Sequence, residues 1–324
     1  MATSARVHTR RGLWFLVPAL TLCLASLSAS APAATYTQLT TDTGEDPTWS
    51  RDGTDRIVYT DDYHIYVIPA SGGPRTEITH DYAGWIAWYP SWSPNGSQIA
   101  FWSVRIGVLV CPASADGDTA AVVIGGGGAR DAHWSPDGSA FATAGYGGDP
   151  GDYPHVDGIH VFPAVPGGYD SPTRIEFLGG QSAGPCWSPG GTLIAFRNSA
   201  AGSNIFVVPS DGSAAPAQLT FLSGWGCYDP DWSADGQWIV FTYQQSQWDD
   251  PKLWIVPAAG GAPFPVIPDA GHPQTQPAWS ADGSRIVYTG PGGIWVASDI
   301  GIPSSITEAS WSWGRIKALF GIRS

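Results

Sequence analysis

Basic residues are scarce in this sequence: its 324 residues include 15 Lys and Arg against 28 Asp and Glu, and the formal charge is −13. Proteins bind nucleic acids and anionic membranes mainly through Lys and Arg, which displace counterions from phosphate groups. The shortage of both residues argues against nucleic acid as a partner and against attachment to an anionic membrane.

Long apolar runs are also scarce, apart from one that extends from Leu13 to Leu27. This run is shorter than the roughly 20 residues that cross a bilayer. Three Arg residues precede it, two of them adjacent as in a twin-arginine signal, and Ala31-Pro-Ala33 follows as a cleavage site. We predict that residues 1–33 are a signal peptide for the twin-arginine or the general secretory route. The mature protein would be periplasmic or extracellular, without membrane insertion, and its formal charge would be −16.

The motifs of common enzyme active sites are few as well. The H-E-x-x-H pattern of zinc enzymes does not occur, and Gly125–Gly128 precedes a strand rather than a phosphate-binding helix. Gly180-Gln-Ser-Ala-Gly184 matches the nucleophile-elbow pattern, but that motif needs a strand-to-helix turn in a parallel α/β sheet. No βαβ segment is predicted here, so we interpret the match as a coincidence and assign no catalytic residue.

The sequence does contain one motif six times. Its Trp recurs every 42 to 53 residues, at positions 49, 92, 134, 187, 232 and 279. The copy Asp229-Pro-Asp-Trp-Ser-Ala-Asp-Gly236 shows the full pattern, in which Ser, Asp and Gly favour a tight turn. Repeats of this length are typical of propellers and solenoids, because one unit alone cannot bury its faces.

Short apolar runs follow each copy, for example Ile239-Val-Phe241 and Leu253-Trp-Ile-Val256. They are β-branched and aromatic without alternation, which is typical of strands that are covered on both faces. A short fourth strand such as Gln218-Leu-Thr-Phe221 completes each repeat. We predict an all-β, six-bladed β-propeller of four-stranded antiparallel blades. The sixth repeat lacks its own fourth strand, so we expect Tyr36–Thr40 to supply it and to close the ring.

The pattern Pro-x-Trp-Ser-Pro-Asp-Gly-x-x-Ile-Ala-Phe resembles the WD-like repeats of the TolB propeller family. The resemblance covers roughly residues 36–300. It departs from the family at Arg51, Ala132 and Gly190, where individual turns are weakened, and the family's additional α/β domain does not precede the repeats. The resemblance implies a non-catalytic protein whose protein or peptide ligand reaches into the propeller channel.

Three segments follow from these patterns: a signal peptide at 1–33, a propeller at 34–302 and a tail at 303–324. The tail predicts a short amphipathic helix over Trp311–Phe320. The mature chain would keep three cysteines, of which Cys186 and Cys227 lie in neighbouring blades. An odd number allows at most one disulfide, so a bridge between these two and burial as free thiols both remain open.

The connections within the predicted blades fall on two faces. Turns after the first and third strands are short, whereas every long connection follows a second or fourth strand, on what we call the long-loop face. Loops on a rigid scaffold commonly carry binding residues, and exposed Trp and Tyr make effective contacts. We predict that Trp88, Tyr89, Trp225 and Tyr228 carry most of the affinity. Their alternative role is to cover the blade ends against water.

The residue three positions before each Trp should surround the channel entrance. These residues are Asp46, Tyr89, Asp131, Gly184, Asp229 and Gln276. One position before the Trp, His133 and Asp231 should follow deeper in the channel. The carboxylates of Asp46, Asp131 and Asp229 suit calcium or a basic group of a ligand. The alternative is that each Asp only accepts backbone hydrogen bonds at the start of its own strand.

We therefore predict an exported, monomeric binding scaffold whose ligand is a protein or peptide, with a glycan as the other ligand class. The predicted binding residues are Asp46, Trp88, Tyr89, Asp131, His133, Trp225, Tyr228, Asp229 and Asp231. The alternative is a carbohydrate-active lyase or hydrolase with a divalent metal in the channel. It rests on five His residues placed on or near the long-loop face: His64, His80, His133, His155 and His272. No cofactor other than calcium is suggested.

Overall fold

A computed structural model describes residues 34–300, except 81–85, 104–105, 115–121, 124–128, 147–155, 167, 169–171, 177, 201 and 268–269. The predicted signal peptide, the C-terminal tail and His155 lie outside these residues. The described chain forms 24 β-strands in six four-stranded antiparallel sheets. The predicted all-β propeller with six four-stranded blades is thereby confirmed. Within the described ranges, no helix is long and apolar enough to cross a membrane.

The first three blades follow one another along the chain. Blade one contains β2 (Glu45–Trp49), β3 (Arg56–Asp61), β4 (His64–Pro69) and β5 (Thr76–Glu77). Blade two contains β6 (Ala87–Trp92), β7 (Gln98–Ser103), β8 (Gly107–Pro112) and β9 (Val122–Val123). Blade three contains β10 (Arg130–Trp134), β11 (Ala140–Tyr146), β12 (Val156–Pro163) and β13 (Thr173–Arg174).

Two further blades repeat this order, and the last one borrows a strand. Blade four contains β14 (Ser182–Trp187), β15 (Leu193–Asn198), β16 (Asn204–Pro209) and β17 (Ala217–Gln218). Blade five contains β18 (Gly226–Trp232), β19 (Trp238–Gln244), β20 (Lys252–Pro257) and β21 (Phe264–Pro265). Blade six contains β22 (Thr275–Trp279), β23 (Ile286–Gly290), β24 (Gly293–Ser298) and the N-terminal β1 (Thr35–Gln38).

The pairing of β1 with β24 is antiparallel and joins the two ends of the described chain. Thr35 lies opposite Ser298 and Gln38 lies opposite Trp295. The next residue, Leu39, donates its N–H to the carbonyl of Ile294 at 2.7 Å. The N-terminal segment therefore occupies the outer position in blade six that a fourth strand holds in the other blades.

The Ser-x-Asp-Gly segment forms the turn between the first and second strands of a blade. In blade three, the hydroxyl of Ser135 donates to Asp137 Oδ1 at 2.6 Å and accepts the N–H of Ala140 at 3.0 Å. Gly138 has a φ of 74°, a left-handed conformation that glycine adopts without a steric penalty. The side chains therefore satisfy the turn backbone and leave both strands free to pair.

Each recurring Trp packs between its own blade and the preceding one. Trp232 of blade five contacts a cluster that includes Leu193 and Ile205 of blade four. Trp49 of blade one lies in a cluster with Val287 of blade six. Burial of an aromatic side chain removes roughly 150–250 Å² from water, so these Trp residues dominate the adhesion between blades.

The fourth strands are shorter than the sequence predicts. In blade four the prediction is Gln218–Phe221, but β17 ends at Gln218. Leu219 still donates its N–H to the carbonyl of Ile205 at 2.8 Å. The N–H of Ile205 then bonds the hydroxyl of Thr220 at 2.9 Å, so a side chain replaces the strand partner.

The three cysteines in the described part of the chain are buried. The Cys227 thiol lies 3.7 Å from the hydroxyl of Thr220. Cys186 packs in the same cluster between blades four and five without a bond to Cys227. Of the two interpretations that the sequence left open, the structure shows burial as free thiols.

A candidate binding channel

The innermost strands of the six blades enclose a cavity of about 570 Å³. The same part of each repeat lines it, from three positions before the Trp to the turn that follows. The outer ring of this lining consists of Asp46, Tyr89, Asp131, Gly184, Asp229 and Gln276. The sequence had placed these six residues at the channel entrance, and the structure brings all of them to one cavity. We call this ring the channel mouth.

A β-bulge lies at every residue of the channel mouth. In blade one, for example, the register shifts between Glu45 and Thr48, and the bulge contains Asp46. All six mouth residues have a φ between 50° and 58°, although only Gly184 is a glycine. Left-handed backbone costs a non-glycine residue about 1 kcal/mol or more, least for Asp and Asn. The bulges redirect the chain so that one side chain per blade lines the cavity.

Carboxylates occupy every second position of the channel mouth. Asp46, Asp131 and Asp229 belong to blades one, three and five, so they approach the channel axis from three sides. Asp131 accepts the N–H of Gly184 in the next blade at 3.2 Å. Gln276 hydrogen-bonds both the backbone N–H and the carboxylate of Asp46. The predicted alternative was that each Asp bonds the N–H groups of its own strand. Asp46 and Asp131 instead bond residues of neighbouring blades.

The carboxylates at the channel mouth repel one another. Burial, followed by repulsion from Asp229 and Asp131, raises the pKa of Asp46 well above its ordinary value. Burial raises the pKa of Asp131, although the N–H of Gly184 opposes this. Burial and the charge of Asp131 raise the pKa of Asp229 to about 6. The Asp229 side chain is exposed at the cavity and is nevertheless surrounded by many protein atoms, so burial raises its pKa more than repulsion does.

Arg197 is a cation that lines the cavity near these carboxylates, and the sequence analysis missed it. It lines the cavity from β15, and its charge lowers the pKa of both Asp131 and Asp229. Its guanidinium lies 5.3 Å from the ring centre of Tyr228. Corresponding positions in other blades hold neutral residues such as Thr60 and Thr242. A charge in an otherwise neutral repeat position was the signal that could have identified it.

A second ring lies deeper, one position before each Trp. Its members are Thr48, Ser91, His133, Cys186, Asp231 and Ala278. Ser91 accepts the N–H of Trp134 in the next blade at 3.4 Å. Burial and the charge of Arg51 lower the pKa of His133 to about 4, so this imidazole is neutral at neutral pH. Its Nδ1 lies 3.2 Å from the carbonyl of Trp134.

Arg51 extends across the channel at the end opposite to the mouth. Its Nη2 bonds Asp231 Oδ1 of blade five at 3.1 Å. The other oxygen of Asp231 accepts the N–H of Trp279 at 2.8 Å. The sequence analysis interpreted Arg51 as a defect of its turn. The structure shows instead that it links two blades through the channel.

The predicted aromatic residues form two groups on different blades. Trp88 and Tyr89 of blade two pack with Tyr63 and Trp102, with ring centres 6.0 to 6.5 Å apart. In the loop before blade five, Trp225 is 53% exposed. Its carbonyl accepts the hydroxyl of Tyr228 at 2.9 Å. Tyr89 and Tyr228 line the cavity, whereas Trp88 and Trp225 lie outside its lining.

The candidate metal ligands are not brought together. Among the residues that the structure describes, no three His, Cys, Asp or Glu side chains lie close enough to hold one metal ion. The mouth carboxylates therefore do not have the arrangement of a calcium site. His64 lies beside Glu77 in blade one, whereas His272 stacks on Tyr288 in blade six.

Ser182, from the sequence that matched a nucleophile elbow, is bound by other groups. Its hydroxyl donates to Glu176 Oε2 at 2.8 Å and accepts a hydrogen bond from Asn198 Nδ2 at 2.9 Å. It is the first residue of β14, not part of a strand-to-helix turn. The local geometry is that of a polar network at the edge of blade four.

Comparison with known proteins gives the fold and no closer assignment. No protein-family profile matches the sequence, and no curated protein matches it. Among solved structures, a putative TolB from Agrobacterium tumefaciens has a TM-score of 0.56 at 21% identity, over 79% of this chain and 89% of that one. TolB from Acinetobacter baumannii has a TM-score of 0.55 at 16% identity. The comparison covers 78% of this chain but 62% of that TolB, which is less than two thirds of its length.

A gluconolactonase from Xanthomonas campestris is similar to the same extent. Its TM-score is 0.59 at 16% identity, over 85% of this chain and 92% of that one. At these identities the likeness shows a shared fold. TolB propellers and an enzyme thus both occur among the structural neighbours of this six-bladed propeller.

Proposed function

We propose that this protein is an exported, non-catalytic scaffold that binds a protein or peptide segment at the channel mouth and the long-loop face. The observation that carries the proposal is the placement of Asp46, Asp131 and Asp229. Burial raises the pKa of all three carboxylates, repulsion raises it further for Asp46 and Asp229, and all three occupy left-handed backbone, so the arrangement costs stability. Gly184 shows that the same bulge forms without a carboxylate. A destabilising arrangement that the fold does not need is a sign of function.

A ligand with a basic group would remove this cost. A Lys or Arg side chain offers several N–H donors and a positive charge, and would relieve repulsion among the carboxylates. Arg197 offsets only part of the negative charge, since the pKa of Asp229 remains raised beside it. The rings of Trp88, Tyr89 and Tyr228 lie in or beside the mouth and supply apolar contact area. The TolB likeness supports a protein ligand, although it shows only the fold.

Affinity capture tests the proposal. The mature protein is immobilised, exposed to the periplasmic and secreted proteins of the source cell, and compared with the double variant Asp131→Asn, Asp229→Asn. We expect a protein that the wild type retains and the double variant loses, with retention that weakens as salt rises. A second variant with alanine at Trp88, Tyr89, Trp225 and Tyr228 tests the aromatic residues, with Trp248→Ala as the control because Trp248 is 85% exposed outside the cavity lining. Retention that neither variant changes would refute the proposed site.

A carbohydrate-active hydrolase or lyase is the second candidate, and one observation favours it. His133 is a neutral imidazole whose Nε2 bonds no described residue, and it lines the cavity. A neutral imidazole is suited to accept a proton or bind a metal, and the gluconolactonase shows that an enzyme can share this fold. Metal content is measured on protein never exposed to a metal column, together with lactone hydrolysis. A stoichiometric metal that His133→Ala removes would favour this candidate over the scaffold.

We further infer export and ring closure. Cleavage after Ala33 would leave Ala34 as the first residue, just before β1. The pairing of β1 with β24 then supports a ring that its two ends hold closed. Mass spectrometry of the protein recovered outside the cytoplasm tests the cleavage site, and a mature chain that still contains residues 1–33 would contradict it.

A further inference from the structure

Two residues depart from the sixfold repeat in the deep part of the channel. At the level of Arg51, the other five copies have short or cyclic side chains: Pro94, Pro136, Pro189, Ala234 and Ala281. At the level of Asp231, the other five copies have no permanent charge: Thr48, Ser91, His133, Cys186 and Ala278. The two exceptions bond each other. Blade six lies between blades one and five, and its Ala278 and Ala281 leave room for the Arg51 side chain.

In this ion pair, only the acidic partner uses all of its charged atoms in hydrogen bonds. Both oxygens of Asp231 accept hydrogen bonds, one from Arg51 and one from the N–H of Trp279. Arg51 uses Nη2 alone, toward Asp231 and toward the carbonyl of Trp232 at 3.5 Å. Its Nη1 and Nε bond none of the described residues. The side chain is 32% exposed and lines the cavity, so these donors remain for a ligand.

The channel therefore has opposite charge preferences at its two levels. The mouth has three carboxylates and Arg197, whereas the deep end has Arg51, which is paired with Asp231 but has unused donors, beside a neutral His133. Arginine binds a carboxylate through two parallel N–H groups, in a geometry that lysine cannot supply. A free chain terminus is a carboxylate that can enter such a channel first.

We propose that the channel binds the C-terminal end of a polypeptide, with the terminal carboxylate on Nη1 and Nε of Arg51 and a preceding Lys or Arg among Asp46, Asp131 and Asp229. This inference rests on the proposed function and adds the direction of insertion. Asp46 and Arg51 are five positions apart, and Arg51 already lies in the turn after β2, so their separation along the channel is less than five extended steps of about 3.3 Å each, or below roughly 16 Å. An extended ligand covers the same depth, so the basic residue would lie about four residues before the C-terminus.

Two peptide libraries of the same random octapeptides test the proposal. One is anchored through its N-terminus and presents a free C-terminal carboxylate, and the other is anchored through its C-terminus and presents a free amino group. We expect the mature wild-type protein to select from the first library, with Lys or Arg enriched about four residues before the end. A selected peptide made as its C-terminal amide should bind about tenfold more weakly or worse, because it loses a charge-assisted pair of hydrogen bonds.

Variants of Arg51 and of the mouth carboxylates show which residues cause each of these effects. Arg51→Pro installs the residue that three other copies have at this turn, so the fold should persist, and the free acid and the amide should then bind equally. Arg51→Lys keeps the charge and is the matched control, with a reduced preference for the free acid. Asp131→Asn with Asp229→Asn should abolish the enrichment of basic residues without changing the preference for the free acid.

Each contrary outcome has a separate meaning. Equal selection from both libraries, or a preference for the free acid that survives Arg51→Pro, would overturn the inference and leave the proposed function in place. Suppose instead that free acids bind in a way that depends on Arg51 but not on the mouth carboxylates. The ligand would then enter from the face opposite to the long-loop face, which would also overturn the inference. Selection from neither library would overturn the inference, because the channel would not bind linear peptides, and the capture experiment would then decide the proposed function separately.

Discussion

Asp229 offers the sharpest test of the channel mouth, through the substitution Asp229→Asn. Asparagine has the same shape and tolerates the left-handed backbone, whose φ here is 50°. The substitution removes the negative charge and replaces one acceptor oxygen by an NH2 donor. The pKa of Asp229 is raised from 3.8 to about 6, which corresponds to at most about 3 kcal/mol of repulsion and desolvation in the ionised state. Channel water screens this interaction, since the residue is exposed to it, so we expect about 1 kcal/mol.

The sign of the pH dependence follows from the raised pKa. A folded state that holds a proton more tightly than the unfolded state is favoured at low pH, and this advantage is lost as the pH rises from about 4 through about 6. The wild type and Asp229→Asn should therefore be equally stable near pH 4, whereas the variant should be more stable by about 1 kcal/mol near pH 7. The difference between the two proteins also includes Asp46, because Asp229→Asn removes part of the repulsion that raises the pKa of Asp46.

Urea unfolding followed by tryptophan fluorescence measures this difference. Asp250→Asn is the control, because it removes one charge from an exposed position of the same blade. It should change the free energy of unfolding by less than about 0.5 kcal/mol at either pH. If Asp229→Asn instead destabilised the protein near neutral pH, attraction to Arg197 would outweigh the repulsion. The carboxylate would then be structural, and the main argument for a ligand at the mouth would fail.

Three further predictions concern the propeller itself. Trp232→Ala should lower the free energy of unfolding by about 3–5 kcal/mol, because it empties the interface between blades four and five; urea unfolding measures the loss, and a cost below about 1 kcal/mol would contradict the packing described here. Deletion of residues 34–40 should lower the urea midpoint, because β24 would lose its partner strand; an unchanged midpoint would argue against closure by β1. The thiols of Cys186 and Cys227 should react with a maleimide only after unfolding, since both are buried and the pKa of Cys227 is raised to about 12. Rapid labelling of the folded protein would show that the blades open.

The repeat carries enough information to predict the blades. Trp, Ser and Gly recur at fixed offsets, and each has a local role: the Trp fills an interface between blades, and the turn residues bond their own backbone. Such local roles can be identified in a single sequence. The position three residues before the Trp could also be placed at the channel, because every copy of the repeat has the same orientation in the ring.

Contacts between distant repeats could not be predicted in the same way. Arg51 and Asp231 are 180 residues apart, and neither has a pattern that indicates the other. Arg197 faces the mouth from a second strand, where the sequence shows only an apolar run that is interrupted. The ends of the fourth strands were misplaced because the Thr220 side chain replaces a backbone partner. The two arginine contacts join different repeats, whereas the Thr220 contact lies within blade four and depends on a side chain that a strand pattern does not show.

The left-handed bulge limits which chemistry the mouth of this propeller can have. At a φ near 50°, glycine, asparagine and aspartate are the residues that the backbone accepts at least cost, and β-branched side chains are disfavoured. Four of the six copies have Asp or Gly there. Backbone geometry alone therefore favours, at the channel mouth, either side chains that accept hydrogen bonds or a glycine whose backbone is exposed. Substitutions at this position alone should therefore change which hydrogen-bond donor the mouth binds. An apolar mouth would first require the loss of the bulge.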